Sequence, residues 1–301
     1  MTGKPFHCGF VALVGRPNVG KSTLLNRLIG QKISITSRKP QTTRHRILGI
    51  RTLPQAQIVY VDTPGIHRPG RKALNRAINR AALDALLDVD VIVMVMEAGR
   101  WTDEDELVLE RLKAAGQPVI AAVNKIDRLR DRRELLPWLQ ALAGRHDFAA
   151  LVPLAALRGD NLAALEQEVI ARLPESEPCF PEDQITDRSE RFLAAELIRE
   201  KLFRHLGQEL PYGLTVEIER FEEAGGLLRI NGLIWVERDS HKRIVIGRQG
   251  QMLKKVGREA REDMERLFDR KVFLELWVKV KEGWADDERA LRSLGIDEHG
   301  R

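Results

Sequence analysis

The 301-residue sequence has almost no cysteine. Cys8 and Cys179 stand alone with no metal-ligand spacing, which fits a reducing compartment where disulfides are rare. Long hydrophobic runs are missing as well. The strongest, Val91–Met96, has six residues, against about 20 needed to span a bilayer, so it reads as a buried strand. No charged start followed by a long apolar segment occurs, and no signal peptide is expected. Internal repeats and low-complexity tracts are absent, and the seven histidines are scattered. No nucleophilic triad, metal cluster or carboxylate pair stands out. His67 is the one histidine near a motif, and a solvated loop is its expected setting.

What is present is ordinary globular material of enough length for two domains, 43% hydrophobic. The net charge of +5 permits a polyanionic partner without requiring one. The charge is uneven. Residues 1–179 are net +7 and residues 180–301 are net −2. In the first half, short β-like runs (Phe10–Val14, Ile47–Leu53, Gln57–Asp62, Val91–Met96, Val119–Asn124, Leu151–Leu154) alternate with helical stretches. This alternation predicts a mostly parallel sheet with helices on both faces and ligands at the strands' carboxyl ends. Pro174, Pro178 and Pro181 mark a linker. Beyond it, a helix over 189–205, strands over 214–221 and 227–236 around Gly225-Gly226, and a last strand over 272–280 are expected.

Gly15-Arg16-Pro17-Asn18-Val19-Gly20-Lys21-Ser22, followed by Thr23, is a complete phosphate loop between a strand and a helix. Its glycines let backbone N–H groups turn onto phosphate oxygens, and the helix N-terminus faces the same anion. Lys21 can reach the outer phosphates, and Ser22 can take a Mg²⁺ position. Asp62-Thr63-Pro64-Gly65 follows the third strand. Its aspartate can hold Mg²⁺, and the Gly65 N–H can meet a γ-phosphate. Asn124-Lys125-Ile126-Asp127 ends the fifth strand. The Asp127 carboxylate can accept from guanine N1–H and the 2-amino group, donors that adenine lacks, which disfavours an ATP-dependent enzyme. Between loop and Asp62, the Lys39–Arg44 segment would be a switch, with Thr43 preferred to Thr42 as the residue completing the Mg²⁺ shell.

The phosphate loop, Gln41-Thr42-Thr43-Arg44-His45-Arg46 and Asp62-Thr63-Pro64-Gly65-Ile66-His67 resemble those of the Era family of GTPases. The resemblance runs through residues 7–295. It implies a P-loop GTPase domain over 1–175, a linker over 176–188 and an α+β type II KH domain with a tail over 189–301. Lys21, Thr43 and Gly65 would serve catalysis, with GTP, GDP and Mg²⁺ as ligands. Ile66 stands where many GTPases place a water-orienting glutamine, so slow intrinsic turnover is implied. Asn18 resembles the asparagine that potassium-stimulated relatives use, which makes K⁺ a hypothesis. The resemblance also places the fifth guanine motif at Ala155-Ala156-Leu157, where relatives usually carry Ser-Ala and where the Ala156 N–H would meet the guanine O6.

Val245–Leu253 contains Gly247-Arg248-Gln249-Gly250, a Gly-x-x-Gly loop of the kind a KH module uses to clamp four nucleotides. Residues 242–261 are net +6 within a half that is net −2. Lys242, Ile246, Gly247, Arg248, Gln249, Gly250, Lys254, Lys255 and Arg258 are the candidate RNA contacts, with Ile244, Ile246 and Leu253 for an apolar groove. From residue chemistry the partner is a single-stranded nucleic acid, with RNA the expected kind. The resemblance implies the 3′ end of 16S ribosomal RNA during assembly of the 30S subunit, in a cytoplasmic monomer with some peripheral membrane contact and no DNA partner. Trp284 and the tail would pack across the RNA site or between domains. The alternative is a nucleotide-regulated scaffold whose KH half contacts protein, separable by the salt dependence of RNA affinity.

Overall fold

The computed structural model describes residues 5–37, 39, 42–65, 73–84, 88–207, 210–287, 289 and 291. Two compact units emerge. The first contains β1 (His7–Val14), α1 (Lys21–Ile29), β2 (Ile47–Leu53), β3 (Ala56–Asp62), β4 (Val91–Glu97), α3 (Asp103–Lys113), β5 (Val119–Asn124), α4 (Leu135–Ala143), β6 (Ala150–Pro153) and α5 (Leu162–Ile170). A further helix, α2 (Ala73–Asp84), precedes β4. The sheet order is β2-β3-β1-β4-β5-β6, parallel except for β2. Strands β3, β4 and β5 are apolar almost throughout and buried along nearly their whole length, as strands covered on both faces must be. β1 and β3 end side by side, Leu13 opposite Asp62. The phosphate loop and the Asp62 segment thereby leave the sheet at the same carboxyl edge.

The stretch expected to be a linker is bound to the first unit. Ile50 N–H donates to Ile185 O at 2.9 Å, Leu48 N–H to Asp187 Oδ1 at 3.0 Å, and Gly49 forms a bridge with Thr186. The physical reason lies in the topology: β2 is an edge strand, and an edge leaves a row of unpaired N–H and C=O groups. The proline-rich segment covers them.

The second unit comprises Arg188 onward, joined by Ile35–Thr42 and Gly70–Ala77. It contains α6 (Glu190–His205), β7 (Leu214–Ala224), β8 (Leu227–Val236), α7 (Asp239–Ile246), α8 (Gln251–Phe268) and β9 (Lys271–Val280). β7 and β8 form a hairpin whose turn glycines, Gly225 and Gly226, both have positive φ, as a two-residue turn requires. β9 adds parallel to β8. Val256, Ala260, Met264 and Phe268 repeat every fourth residue of α8, giving one buried stripe. That stripe packs with Leu197, Ile198 and Leu202 of α6 and with Ile230 and Ile234 of β8. Trp284 is buried in this unit and its indole N–H donates to Gly213 O at 3.4 Å.

The Ile35–Thr42 segment lies against α6. Glu200, fully buried, accepts the Thr36 N–H at 3.0 Å and its hydroxyl at 3.2 Å. Arg199 donates to Thr42 O at 2.5 Å, and Lys39 Nζ donates to Leu206 O. The chain returns to the first unit at Thr43.

Candidate functional site

The phosphate loop closes on itself before any ligand arrives. Gly15, at φ +150°, passes so near β4 that a Cβ there would lie 2.3 Å from Val95 O. Gly20, at φ +108°, begins α1 in a conformation that side chains resist. Lys21 is buried, and its ammonium donates to Gly15 O at 2.9 Å and Arg16 O at 3.0 Å. Burial pushes its pKa down to about 8, with Asp62 pulling the other way. Asn18, exposed at φ +64°, has its carbonyl 2.7 Å from Lys125 Nζ. Val19 is fully buried, while Pro17 and Thr23 are half-buried.

Three oxygens then converge. Ser22 Oγ lies 2.9 Å from Thr43 Oγ1 and donates to Asp62 Oδ2 at 2.9 Å. Ser34, which sequence reasoning missed, donates to the same Oδ2 at 2.8 Å. Asp62 Oδ1 is buried and has no hydrogen-bond partner among the described residues. Burial pushes the Asp62 carboxyl above its ordinary range, against the hydrogen bonds from Ser34 and Ser22 and the charge of Lys21. A buried, unsatisfied carboxylate oxygen beside two hydroxyls is a donor set for a hard divalent cation. Thr42 faces elsewhere: its hydroxyl meets Ser37 Oγ at 2.8 Å and Lys39 O at 2.7 Å. Thr63 Oγ1 donates to Leu13 O, and Pro64 is buried beside it. A Cβ on Gly65 would come within 2.9 Å of Pro17 N, so this glycine lets the Asp62 segment touch the phosphate loop. Ile66 and His67 lie outside the described residues.

The base-side motif is tied to the same loop. Asn124 Nδ2 donates to Val19 O at 2.8 Å, and its Oδ1 accepts from Lys125 N and Ala156 N. The Ala156 N–H, expected to meet a guanine oxygen, is thus held by Asn124 at 2.9 Å. A buried N–H needs a partner, and Asn124 is the one in reach. Ala155 is buried and Leu157 is 61% exposed. Arg158 stands 3.7 Å from the Asp127 carboxylate.

One network was not legible from motifs. Arg16 is paired with Asp105 at 3.0 Å and with Glu97 at 3.2 Å, and Glu97 also meets Lys125 at 3.1 Å. Asp105 is fully buried and caps α3 with Thr102 in a reciprocal capping box. Burial pushes Glu97 up, but the hydrogen bonds and charges of Lys125 and Arg16 outweigh it and leave the carboxyl below its ordinary range. The side chain of Arg16 therefore braces the loop from behind. The residues at the ends of β4, α3 and the phosphate loop are far apart in sequence, so only the fold reveals the pairing.

In the second unit, Gly247 (φ +73°) ends α7 and Gly250 (φ +75°) begins α8, with Arg248 and Gln249 exposed between them. Arg248, Lys254, Lys255 and Arg258 are exposed, and among the described residues none is in an ion pair. Lys242 and Ile246 are half-buried. Leu253 and Ile246 pack on the core, whereas Ile244 is 51% exposed.

A family model described as a 50S ribosome-binding GTPase matches residues 10–125, and a KH domain model matches residues 209–285. GTPase Era of Ectopseudomonas mendocina is 62% identical over 296 residues, 98% of this chain and 99% of that protein. This chain belongs to the Era family of GTPases. GTPase Era of Pseudomonas putida is 60% identical over 97% of each chain. Among solved structures, a point variant of Aquifex aeolicus Era bound to GDP·AlF₄⁻ is 40% identical with a TM-score of 0.94, covering 97% of this chain and 99% of that one. Era in complex with MgGDPNP and nucleotides 1506–1542 of 16S ribosomal RNA matches at 40% identity, the same coverage and a TM-score of 0.93. The Era fold, a GTPase unit with a parallel sheet followed by a KH unit, is therefore common to this chain and those proteins. Among the described residues no helix is long and apolar enough to cross a membrane.

Proposed function

We propose that this Era-family GTPase hydrolyses GTP slowly and engages the 3′ end of 16S ribosomal RNA through its Gly247–Gly250 loop, assisting assembly of the 30S subunit in the cytoplasm. The observation that carries the reading is the likeness along 97% of the chain to an Era bound at once to MgGDPNP and 16S rRNA nucleotides 1506–1542. The geometry supports the following roles for the residues. Gly15, Gly20 and the N–H groups of α1 cradle the phosphates, and Lys21 turns from the Gly15 and Arg16 carbonyls toward them. Ser22, Thr43 and Asp62 hold Mg²⁺, and the orphaned Asp62 Oδ1 fits that role. The ion, when bound, neutralises charge on the β- and γ-phosphates. Gly65 offers its N–H to the γ-phosphate, while Asp127 and Asn124 specify guanine. No side chain among Pro64, Gly65 and Ile66 can orient water by hydrogen bonding, which accounts for slow turnover and leaves room for K⁺ at Asn18.

Arg248, Lys254, Lys255 and Arg258 supply phosphate contacts, and Gly250 lets the strand approach. RNA affinity for a 16S 3′-end oligonucleotide, measured with GDP and with GDPNP over a range of salt, tests the whole reading. The expected result is an affinity that changes with the nucleotide and falls steeply with salt. An affinity indifferent to both favours the scaffold alternative. Equal hydrolysis rates in K⁺ and Na⁺ would remove K⁺. The membrane contact implied by the family resemblance stays part of the proposal and is checked by flotation with anionic vesicles.

A further inference from the structure

Cys8 and Cys179 are the only cysteines in the chain. They stand 171 positions apart, yet their Sγ atoms are 3.2 Å from each other. Both are free thiols. The meeting is built by Gln57, which is fully buried and sits opposite Cys8 in the β1–β3 ladder. Its Oε1 accepts the N–H groups of Cys179 and Phe180 at 2.8 and 2.9 Å. Its Nε2 donates to Phe180 O at 2.8 Å and to Thr52 Oγ1 at 3.0 Å. Backbone bonds from Cys8 N to Pro174 O and from Ser176 N to Phe6 O, each 3.1 Å, fix the approach from the other side. Backbone and amide hydrogen bonds thus hold Cys179 beside Cys8, whose thiol also donates to Gln57 Oε1 at 3.8 Å.

The two thiols differ in access. Cys179 is exposed, whereas Cys8 is 2% exposed. Burial and the neighbouring Cys179 push the Cys8 thiol up to about 11, so it stays protonated at neutral pH. A solute therefore meets Cys179 before Cys8.

We propose that Cys8 and Cys179 are a reversible dithiol–disulfide site, oxidised through Cys179 by a small-molecule disulfide such as oxidised glutathione. The Cys179 thiolate attacks one sulfur of the small disulfide, forms a mixed disulfide and releases one small thiolate. Cys8 gives its proton to that released thiolate, and the Cys8 thiolate attacks Cys179 Sγ, breaking the mixed disulfide and expelling the second small thiolate. Once expelled, the second small thiolate takes up from water the proton that the Cys179 thiol had first given up. The two protein thiols are oxidised to one disulfide and the small disulfide is reduced to two thiols. The sulfurs need close only from 3.2 Å to about 2.05 Å. The product ties the segment that covers β2 to β1 across almost the whole first unit, a long loop whose closure restricts the unfolded chain. Cys8 lies at the opposite end of β1 from Val14 and the phosphate loop.

The full chain is equilibrated with oxidised and reduced glutathione at a series of ratios, then alkylated and weighed intact. The expected product has lost two hydrogens, carries no free thiol, melts about 5 °C higher and reverts in reduced glutathione. Cys8→Ser should stop at a stable glutathione adduct on Cys179, and Cys179→Ser should stay unmodified while folded. A persistent adduct on Cys179 of the unaltered chain, a disulfide-linked dimer, or no reaction at either cysteine would overturn the proposal.

Discussion

Two glycine loops open helices in this chain, and they are built in opposite ways. In the phosphate loop, a Cβ at Gly15 would strike Val95 O and one at Gly20 would strike Asn124 Nδ2 at 2.4 Å. Its lysine is buried and bonded to the loop's own carbonyls. In the Gly247–Gly250 loop, a Cβ at Gly247 would meet Met252 at 2.7 Å, but a Cβ at Gly250 would have nothing within 4 Å among the described residues. Its cations stand in water. The first loop is a pocket that the protein has already packed, and its glycines serve the protein's own contacts. The second is an open clamp, and Gly250 is free to serve a ligand. Selectivity should therefore reside in the first and salt-sensitive grip in the second.

The sharpest way to break this contrast is Lys21→Ala. It removes the buried ammonium that faces the phosphates, and nucleotide affinity should fall about 10³-fold, or roughly 4 kcal/mol. A loss below tenfold in a calorimetric titration would mean that the backbone nest does the binding without it. Asp127→Asn comes next. Guanine preference over xanthine should invert by about 10²-fold, because the base edge and the side chain would then present donors to each other. Competition between labelled GDP and XDP reads this directly, and an unchanged ratio would detach Asp127 from the base. Gly250→Asp should weaken RNA binding by about tenfold or more, through a carboxylate placed where phosphate must come. Aspartate tolerates the left-handed backbone there, and nucleotide affinity measured on the same sample controls for folding. RNA affinity surviving that change would show that the loop is not the clamp.

The motifs made the pocket legible because its chemistry is local. Phosphate loop, D-x-x-G and N-K-x-D each fit in a few residues, and the alternation of strands and helices places them at one sheet edge. The KH order of elements was readable for the same reason, from the helical period of α6 and the glycine turn between β7 and β8. Contacts made at long range were not readable. Nothing near Arg16 announces Asp105 or Glu97, and nothing near Cys8 announces Cys179. The proline-rich stretch at 176–188 carries every local mark of a free linker, yet the unpaired edge of β2 captures it. Thr43 could be preferred to Thr42 on position alone, but their different partners needed coordinates: one hydroxyl meets Ser22 and the other Ser37.

A smaller effect tests how the pocket is braced. Glu97→Gln keeps the shape but removes the charge that Arg16 and Lys125 share. GDP affinity should drop about threefold to tenfold, in line with a partly buried charged hydrogen bond. Arg16→Ala combined with Glu97→Gln should cost less than the sum of the two changes, since each already breaks the shared contact. Strict additivity in the double-mutant cycle would reduce the network to surface decoration.

The smallest expected signal is a proton. Lys21 in the free pocket sits near pKa 8 because burial disfavours its charge. Between pH 8 and the ordinary lysine value of about 10.4, the unfolded chain holds this proton and the folded chain does not. Stability contributed by this group therefore rises with pH across that window, and below it the desolvation cost is carried unchanged. A nucleotide reverses the local balance, since phosphate charge beside the ammonium favours the protonated form. Binding at pH 9 should then take up close to one proton per nucleotide, and at pH 7 close to none, because both states are already charged. Titration calorimetry in two buffers of different ionisation enthalpy measures the uptake. Equal proton counts at the two pH values would mean that Lys21 is solvated in the free pocket, and the contrast between a dry phosphate loop and a wet RNA loop would lose its main support.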